Sequence, residues 1–316
     1  MRIQFIISLA ILLGLLFFLI QQLRRPPTPP EWTGPARWRK TLRIAVAVIL
    51  LLLGSLAFWS LMVEPGRLVV HEESIPLENW PQELSGLRIV VIADIHAGAP
   101  FIDDKKLRLI VERTNQLQPD LIVLLGDYIS PNSWHSHRVE PEITAAALQD
   151  LRAPLGVYSV LGNHDWWYDG RKVRRALEQN GIKVLDNEVA EVKWRDSSFW
   201  LVGLADLWTR PQQIRETIAR APQAKPLIAL THNPDIFPRI PRSVPLLLAG
   251  HTHGGQVNLP LIGRPIEPSD FGQRYAAGHV FENDHHLFVT TGIGTSILPV
   301  RFRVPPEIVL LTLRSQ

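Results

Sequence analysis

Two histidines one residue apart, His251 and His253, form a motif that could bind a metal. Glycine stands on both sides of the pair, at Gly250, Gly254 and Gly255, so the backbone can turn sharply and come close to a ligand. Residues i and i+2 of an extended segment point to the same side, and we therefore expect both imidazoles to face one point. Two converging imidazoles are typical of a metal site, and the alternative is an ordinary loop that contains two histidines.

Further polar clusters follow apolar runs that predict buried strands. They are Asp94 with His96, then Asp127, then Asn163 with His164 and Asp165, and finally His232. In open α/β sheets ligands bind beyond the carboxyl ends of the strands, so we expect these clusters to converge with the histidine pair. Each cluster alone has a structural alternative, such as a turn cap, a left-handed turn or a hydrogen-bonded core histidine. Burying all of them without partners would cost several kcal/mol per group, and a pair of cations would satisfy them.

The ligand types restrict the metal and the chemistry. The chain has no cysteine, which excludes thiolate ligands, disulfides and a cysteine nucleophile. Imidazole and carboxylate ligands without thiolate favour Mn, Fe, Zn, Co or Ni over Ca or Mg. One carboxylate can bridge two metals about 3.5–4 Å apart, and such a pair holds the attacking and leaving oxygens in phosphoryl transfer. A metal-bound hydroxide is then the nucleophile, so no nucleophilic side chain is required.

The elements that position these clusters can be predicted from hydrophobic periodicity. Apolar runs predict strands at 87–94, 121–127 and 156–165, and amphipathic spacing predicts helices at 103–117, 140–151 and 171–180. Gly181 is a stop signal for the last of these helices. Shorter strands dominate after residue 182, at 191–194, 199–204, 227–230, 245–248, 286–289 and 308–313. This order predicts an α/β sandwich with mixed sheets.

The order of the motifs, D-x-H, G-D, G-N-H-D, H and G-H-x-H, resembles that of the calcineurin-like metallophosphoesterase family. The resemblance covers residues 67–316, and it implies a four-layer α/β/β/α sandwich. The stretches GHTHGGQ, NLPLIGRP and TTGIGTSILPVRFRVPPEI are similar to the bacterial membrane-associated branch. Some relatives in that branch cleave UDP-2,3-diacylglucosamine or act as general phosphodiesterases.

Residue by residue, the resemblance implies two divalent metals, with Mn, Fe or Zn as the expected ions. The first metal would be held by Asp94, His96 and His253. Asp127 would bridge, and the second metal would be held by Asn163, His232 and His251. His164 would stand near the leaving-group oxygen, where it can donate a proton or stabilise developing charge, and Asp165 would orient its ring.

The N-terminal part predicts a membrane hairpin, residues 1–65, ahead of the catalytic domain, residues 66–316. Residues 3–20 and 44–62 are uncharged, apolar and long enough to cross roughly 30 Å of hydrocarbon. The alternative for the first run is a cleaved signal peptide, but no small-residue cleavage pattern follows it. The loop 21–43 between them is basic, which predicts that this loop lies in the cytoplasm. The alternative is that its basic residues bind anionic lipid headgroups. We therefore expect a multi-pass protein of the bacterial inner membrane with an extracytoplasmic catalytic domain.

The net charge of +3 belongs to the N-terminal part and not to the predicted catalytic domain. Residues 1–43 carry seven basic residues and one acidic residue, which leaves 26 basic and 29 acidic residues for 44–316. A general nucleic-acid-binding surface requires a basic domain, so nucleic acid is not an expected partner. Membrane lipid and a phosphoester substrate, possibly linked to a lipid or a nucleotide, are the expected partners.

Several aromatic and basic residues have two interpretations. Trp134, Trp166, Trp167 and Trp208 lie in or beside predicted loops, where they either pack the domain or contact lipid or a nucleobase. Arg301 and Arg303 either pair with phosphate or lie on an exposed face of a strand or loop.

The sequence thus predicts a membrane-anchored phosphoesterase with two metals that hydrolyses a phosphodiester or pyrophosphate bond. One alternative is the UDP-2,3-diacylglucosamine pyrophosphatase of lipid A synthesis, whose substrate lies on the cytoplasmic side, against the predicted topology. Another alternative, of a different class, is a non-catalytic, metal-dependent membrane scaffold.

Overall fold

The computed structural model describes residues 36–131, 136–222 and 225–316, together with Gly14, Phe17, Ile20 and Gln21. Most of the predicted first membrane segment, most of the loop that follows it, and Trp134 therefore lie outside the described residues. Helix α1 spans Ala36–Phe58 and continues through a π-helical turn at Trp59–Val63. The stretch Thr41–Gly66 is long and apolar enough to cross a membrane, and almost none of it is buried in the protein. The second predicted segment is thus helical, and the two-helix hairpin stays a prediction.

Helix α1 begins at Ala36, eight residues before the predicted boundary at residue 44. Residues 36–43 belong to the predicted basic loop 21–43, whose proline-rich middle precedes them. Arginine, lysine and alanine are nevertheless strong helix formers, and they carry the helix back to the end of the proline-rich stretch.

Twelve strands in the described part of the chain form two six-stranded sheets. The first has the order β1–β12–β2–β3–β4–β5, made of Val69–Leu77, Glu307–Ser315, Arg88–Ile92, Leu121–Leu125, Val157–Val160 and Lys183–Val184. The second has the order β10–β11–β9–β8–β7–β6, made of Gly278–Glu282, His285–Val289, Leu246–Ala249, Leu227–Leu230, Ser197–Gly203 and Glu188–Trp194. Parallel and antiparallel pairs occur in both, so the prediction of mixed sheets is confirmed.

The two sheets pack face to face, and helices cover their outer faces. Helices α2, α3 and α4 (Asp104–Gln116, Pro141–Leu148 and Asn163–Gln179) pack on the first sheet. The short helix α5 (Ile214–Ile218) and the 3-10 segment Pro234–Arg239 pack on the second. The four-layer α/β/β/α arrangement is therefore confirmed.

Alternation along the strands explains this layering. In β2, Ile89 and Val91 lie in the core between the sheets, while Val90 and Ile92 pack against the helices. Since successive side chains of a strand point to opposite faces, a strand that is buried on both faces must be apolar throughout. The neighbouring strand β3 has the same pattern, and all five of its residues are buried.

The structure differs from the predicted elements at one place that matters for the site. The third predicted strand was expected to run through residue 165, but β4 ends at Val160 and helix α4 begins at Asn163. The residues of the motif G-N-H-D thus form the first turn of a helix. The sequence analysis also missed the strands β1, β5 and β10, of which β5 has two residues and β1 and β10 are half-exposed and polar in part.

Candidate metal centre

The predicted ligands lie where the carboxyl ends of β2, β3, β4, β8 and β9 meet. Most of them occupy the left-handed region of the backbone, with φ between 48° and 72° at Asp94, His96, Asp127, His251 and His253. Residues other than glycine adopt this region rarely, and it costs of order 1 kcal/mol or more per residue. Strained residues that recur at adjacent strand ends are typical of a functional site.

One group of side chains consists of Asp94, His96 and His253, all of them buried. One potential ligand atom from each lies within 4.8 Å of the others. The Nε2 atoms of His96 and His253 are 3.2 Å apart, and the His253 Nε2 atom lies 3.6 Å from Asp94 Oδ1.

A second buried group consists of Asp127, His232 and His251. The His232 Nε2 atom lies 3.3 Å from Asp127 Oδ2 and 3.1 Å from His251 Nδ1. It also lies 3.1 Å from the Asn163 Oδ1 atom, which brings the amide into the same group. The other ring nitrogen of His232 lies 2.7 Å from the Leu125 carbonyl oxygen, and this contact holds Nε2 toward the centre.

The Asp127 carboxylate faces both groups. Its Oδ2 atom lies 3.5 Å from His96 Nε2, in addition to the 3.3 Å contact with His232. Its Oδ1 atom accepts a hydrogen bond of 2.9 Å from the His164 backbone N–H. A Cβ atom at Gly162 would collide with the same Oδ1 atom, so only glycine permits the close approach of α4 to this carboxylate.

The expectation that His251 and His253 face one point is wrong. Each imidazole belongs to a different group, because the positive φ angles of 72° and 50° turn the chain at both residues and remove the extended geometry. The separation of the two histidines agrees with the resemblance, which assigned them to different metals, and that assignment stays a prediction.

His164 stands at the solvent side of the centre and is only partly buried. Its ring meets the His96 ring edge to face at 4.9 Å, and it forms a third potential ligand group with His96 and Asp127. The resemblance placed this residue beside the leaving group, and its partial exposure is compatible with that prediction.

Asp165 does not hold the His164 ring, contrary to the expectation. Its buried carboxylate accepts hydrogen bonds of 2.8–2.9 Å from the backbone N–H groups of Asp127, Tyr128 and Gly162. The reason is that Asp165 is the third residue of helix α4, where an acidic side chain bonds back to the amide of the capping residue. Asp165 therefore positions the turn that carries Asp127.

Burial and neighbouring charges give the centre its protonation states. Burial lowers the pKa of His96 and of His251 to about 3, and it lowers that of His253 well below the usual value. Burial also lowers the pKa of His232, but Asp127 outweighs it and raises this pKa to about 10. Although burial would raise the pKa of Asp127, the neighbouring histidines hold it well below its usual value. Metal ligation requires neutral imidazoles and an ionised carboxylate, so three of the imidazoles are ready to bind, and His232 would release its proton when a metal binds.

The residues fit divalent metal ions. Ring nitrogens of the centre face one another in buried pairs, His96 Nε2 with His253 Nε2 at 3.2 Å and His232 Nε2 with His251 Nδ1 at 3.1 Å. A neutral imidazole has only one N–H, so nitrogens that face one another and nearby carboxylates cannot all be paired by hydrogen bonds. Burial also raises the pKa of Asp94 to about 7, and a cation would favour its ionised form. Imidazole, carboxylate and amide donors together suit Mn, Fe or Zn.

Two tryptophans stand at the mouth of the centre. Trp167 and Trp208 are 60% and 50% exposed, and their rings stack at 6.3 Å. Trp167 meets His164 at 4.8 Å, and Trp208 meets His251 at 4.4 Å. Trp166, in contrast, packs inward under the guanidinium of Arg210.

Arg301 has neither of the two roles that the sequence suggested. It is fully buried, and its guanidinium donates hydrogen bonds to the carbonyls of Thr291, Gly292, Gly294 and Val304. Arg303, two residues later, is exposed. Arg301 therefore holds the loop 291–304, whose Gly294 N–H donates to the Asp94 carbonyl oxygen at 2.6 Å.

The sequence analysis missed Asp206. This buried residue follows β7 just as the other acidic residues follow their strands, and that position was the available signal. Its Oδ2 atom accepts hydrogen bonds from the backbone N–H groups of Trp208 and Thr209. Asp206 thus holds the loop that carries Trp208.

Known proteins similar to this chain agree with the geometry. The sequence model of the calcineurin-like phosphoesterase family matches residues 87–255. The uncharacterized metallophosphoesterase YkuE of Bacillus subtilis strain 168 is 32% identical over 258 residues, which cover 80% of this chain and 88% of that protein. The phosphodiesterase YaeI of Escherichia coli K12 is 31% identical over 264 residues, which cover 79% and 90%.

A third relative matches a larger share of the chain. It is a transmembrane protein with metallophosphoesterase domain from Danio rerio, 28% identical over 310 residues, which cover 93% of this chain and 67% of that protein. Together with the family match, these relatives confirm the resemblance drawn from the motifs. This chain belongs to the calcineurin-like phosphoesterase family and is a metal-dependent phosphoester hydrolase.

Proposed function

We propose that this protein is a membrane-anchored phosphodiesterase that works with two divalent metals. The observation that carries the proposal is that one Asp127 oxygen faces His96 in the first group and His232 in the second. A carboxylate that two ligand groups share is the arrangement that a metal pair requires.

In this proposal Asp94, His96 and His253 hold one metal, and Asn163, His232 and His251 hold the other. Asp127, which lies beside both groups, would contribute to holding both metals. When bound, such metals supply a water-derived nucleophile at neutral pH and stabilise charge on the phosphoryl oxygens. Manganese, iron and zinc all suit these donors.

The protein's own groups fix the geometry around the metals. The His164 N–H occupies one oxygen of Asp127 and so turns the other oxygen toward both groups. The partly exposed His164 ring holds a proton on the substrate side and donates it to the leaving-group oxygen. Trp167 and Trp208 flank the entrance and contact the non-reacting part of the substrate.

Membrane attachment is the second part of the proposal. Helix α1 precedes the catalytic domain, and a relative named as a transmembrane protein matches across most of the chain. We place the hairpin at residues 1–65 and the catalytic domain, residues 66–316, outside the cytoplasm, because the basic residues lie between the two apolar runs. Protease added to intact spheroplasts should digest the domain, while digestion only in inverted vesicles would reverse this topology.

Hydrolysis of bis(p-nitrophenyl) phosphate by the manganese-loaded full chain tests the catalytic part. We expect activity that a chelator abolishes and that manganese restores. His164→Ala should lose about 10²–10⁴-fold in turnover and keep its metal, because proton transfer contributes that much. Asp127→Ala should lose metal and activity together.

His137→Ala is the matched control, since this exposed histidine lies outside the ligand groups and should leave activity unchanged. A fully active Asp127→Ala protein would contradict the two-metal arrangement. Loss of metal in His164→Ala would contradict the proton-donor role. An inactive full chain that binds manganese tightly would favour the scaffold alternative.

A further inference from the structure

Two neighbouring loops carry exposed apolar side chains at their tips. Leu261 and Ile262 lie at the tip of one, and Ile297 and Leu298 at the tip of the other; we call these four residues the apolar rim. All four are at least half exposed, and Leu261 is completely exposed. Leu261 and Ile297 also have positive φ angles of 69° and 61°, which is rare for any residue with a side chain and rarer for a β-branched one. A strained backbone that presents apolar side chains to solvent indicates a surface made for contact.

Hydrogen bonds join the two loops of the apolar rim. Gln256, at the base of the first loop, donates to the Leu298 carbonyl at 3.0 Å and accepts from the Ser296 N–H at 2.6 Å. The Asn258 N–H donates to the Phe302 carbonyl at 2.9 Å. The rim is therefore one surface and not two independent tips.

The same surface is joined to the end of helix α1. The Arg301 N–H, three residues after Leu298, donates to the Ser60 carbonyl at 3.0 Å. The Glu64 carboxylate accepts from the Val304 N–H at 2.8 Å and from the Trp59 indole at 2.7 Å. The position of the helix end thus determines the position of the rim.

Tryptophans mark the level of the membrane surface on helix α1. Trp38 and Trp59 are both exposed, and Trp59 lies 21 positions after Trp38, which corresponds to about 32 Å of helix at 1.5 Å per residue. This length matches the roughly 30 Å of a hydrocarbon core, at whose two surfaces tryptophan is enriched. Ser60, the residue that contacts the rim loop, follows Trp59 directly.

We infer that the apolar rim inserts into the surface of the same bilayer that helix α1 crosses, and that the metal centre therefore acts on phosphoesters carried by lipid headgroups. The opposite side of the two rim loops borders the centre. The Gln256 N–H donates to the His253 carbonyl at 3.0 Å, and the Gly294 N–H donates to that of Asp94. This inference rests on the membrane anchor of the proposed function.

The chain has no cysteine, so a thiol-reactive label attaches only to a cysteine that is introduced by substitution. The full chain in lipid nanodiscs would carry one bimane-labelled cysteine, at Leu261→Cys or Ile297→Cys. Two further variants complete the set. Leu52→Cys reports the exposed middle of helix α1, and Arg152→Cys reports an exposed residue that precedes β4, away from the carboxyl ends of the strands where the metal centre lies. Quenching by nitroxide lipids, labelled near the headgroup or deep in the chain, then gives the depth of each residue.

We expect the headgroup-level nitroxide to quench both rim labels about threefold or more over the Arg152→Cys label, as for an interfacial segment. The deep nitroxide should quench the Leu52→Cys label. Rim labels that are quenched no more than the Arg152→Cys label, beside a quenched helix label, would overturn the inference and leave the anchor standing. The rim would then be a protein contact. An unquenched helix label would reject the anchor, and the inference with it.

Discussion

The loop 291–304 is held by the buried guanidinium of Arg301, and Arg301→Lys tests how much this group contributes to the stability of the fold. The Arg301 side chain makes hydrogen bonds of 2.6–3.3 Å to four carbonyl groups. Lysine keeps the positive charge but donates from a single nitrogen with three N–H groups, so at least one of the four carbonyls loses its partner. The substitution therefore changes geometry and not charge.

The cost can be worked out from these contacts. A buried carbonyl without a partner costs about 1–3 kcal/mol, and the ammonium group gives up stronger hydration on burial than a guanidinium does. We expect the free energy of unfolding to fall by about 3 kcal/mol, which lowers the melting temperature by roughly 6–12 °C in a domain of this size.

Thermal melting of the full chain in detergent, followed by circular dichroism, measures this difference. Arg303→Lys is the matched control, because Arg303 lies on the same loop and is exposed, and a surface change of this kind stays within about 0.5 kcal/mol. The melting temperatures of the two variants and of the unsubstituted protein are measured side by side, to a precision of about 2 °C. If the Arg301→Lys protein melts within about 2 °C of the unsubstituted protein, the guanidinium does not hold the loop and the reasoning fails.

Asp165→Ala removes the acceptor of three buried N–H groups, so the variant should bind less metal, as measured by elemental analysis. Full metal content with slow turnover would instead make Asp165 an orienting partner of His164. Trp208→Ala should raise KM for bis(p-nitrophenyl) phosphate about tenfold with kcat little changed, as expected for the loss of one aromatic contact, and an unchanged KM would contradict a substrate-facing role. Glu307 raises the pKa of His71, and His71 holds the pKa of Glu307 low against its burial, so this pair stabilises the fold fully between about pH 4.5 and 6.5. That stability is lost as the pH rises through the raised pKa of His71, so His71→Gln should lower the melting temperature more at pH 6 than at pH 9. Because His71 is half-exposed, the loss in unfolding free energy should be at most about 1 kcal/mol. An equal loss at both pH values would contradict the pairing. Manganese should raise the melting temperature of the chelator-treated protein by an amount that grows with its concentration, and a constant melting temperature would mean that the folded state does not bind it preferentially.

The sequence predicted the layers and the convergence of the clusters because both follow from periodicity. Apolar runs such as that of β3 can only be buried on both faces, and polar residues at the ends of parallel strands must meet at one edge. The direction of each side chain was beyond this argument. His251 and His253 diverge because of left-handed φ angles, which depend on the packing of Gly250 and its neighbours and not on a repeating pattern.

Asp165 and Arg301 show a second limit of the sequence. The resemblance implied that Asp165 orients the His164 ring, and phosphate pairing was one of two interpretations of Arg301, but both side chains pair backbone groups that the fold buries. Those backbone groups become visible only when strand ends, helix starts and loops are brought together. The start of helix α4 at Asn163 has the same cause, since the capping bond of Asp165 reaches the amide of Gly162.

The position of β12 between β1 and β2 has a consequence for biosynthesis. Val69 pairs with Glu307 and Ile89 with Leu311, so the first sheet joins segments made early to a segment made late. Until the ribosome has delivered residues 307–315, β1 and β2 each expose an edge, and such long-range pairing is slow. Asp94 lies two residues after β2, so we expect its ligand group to form only after β12 has paired with β2. We therefore expect nascent chains that stall before that point to lack hydrolase activity.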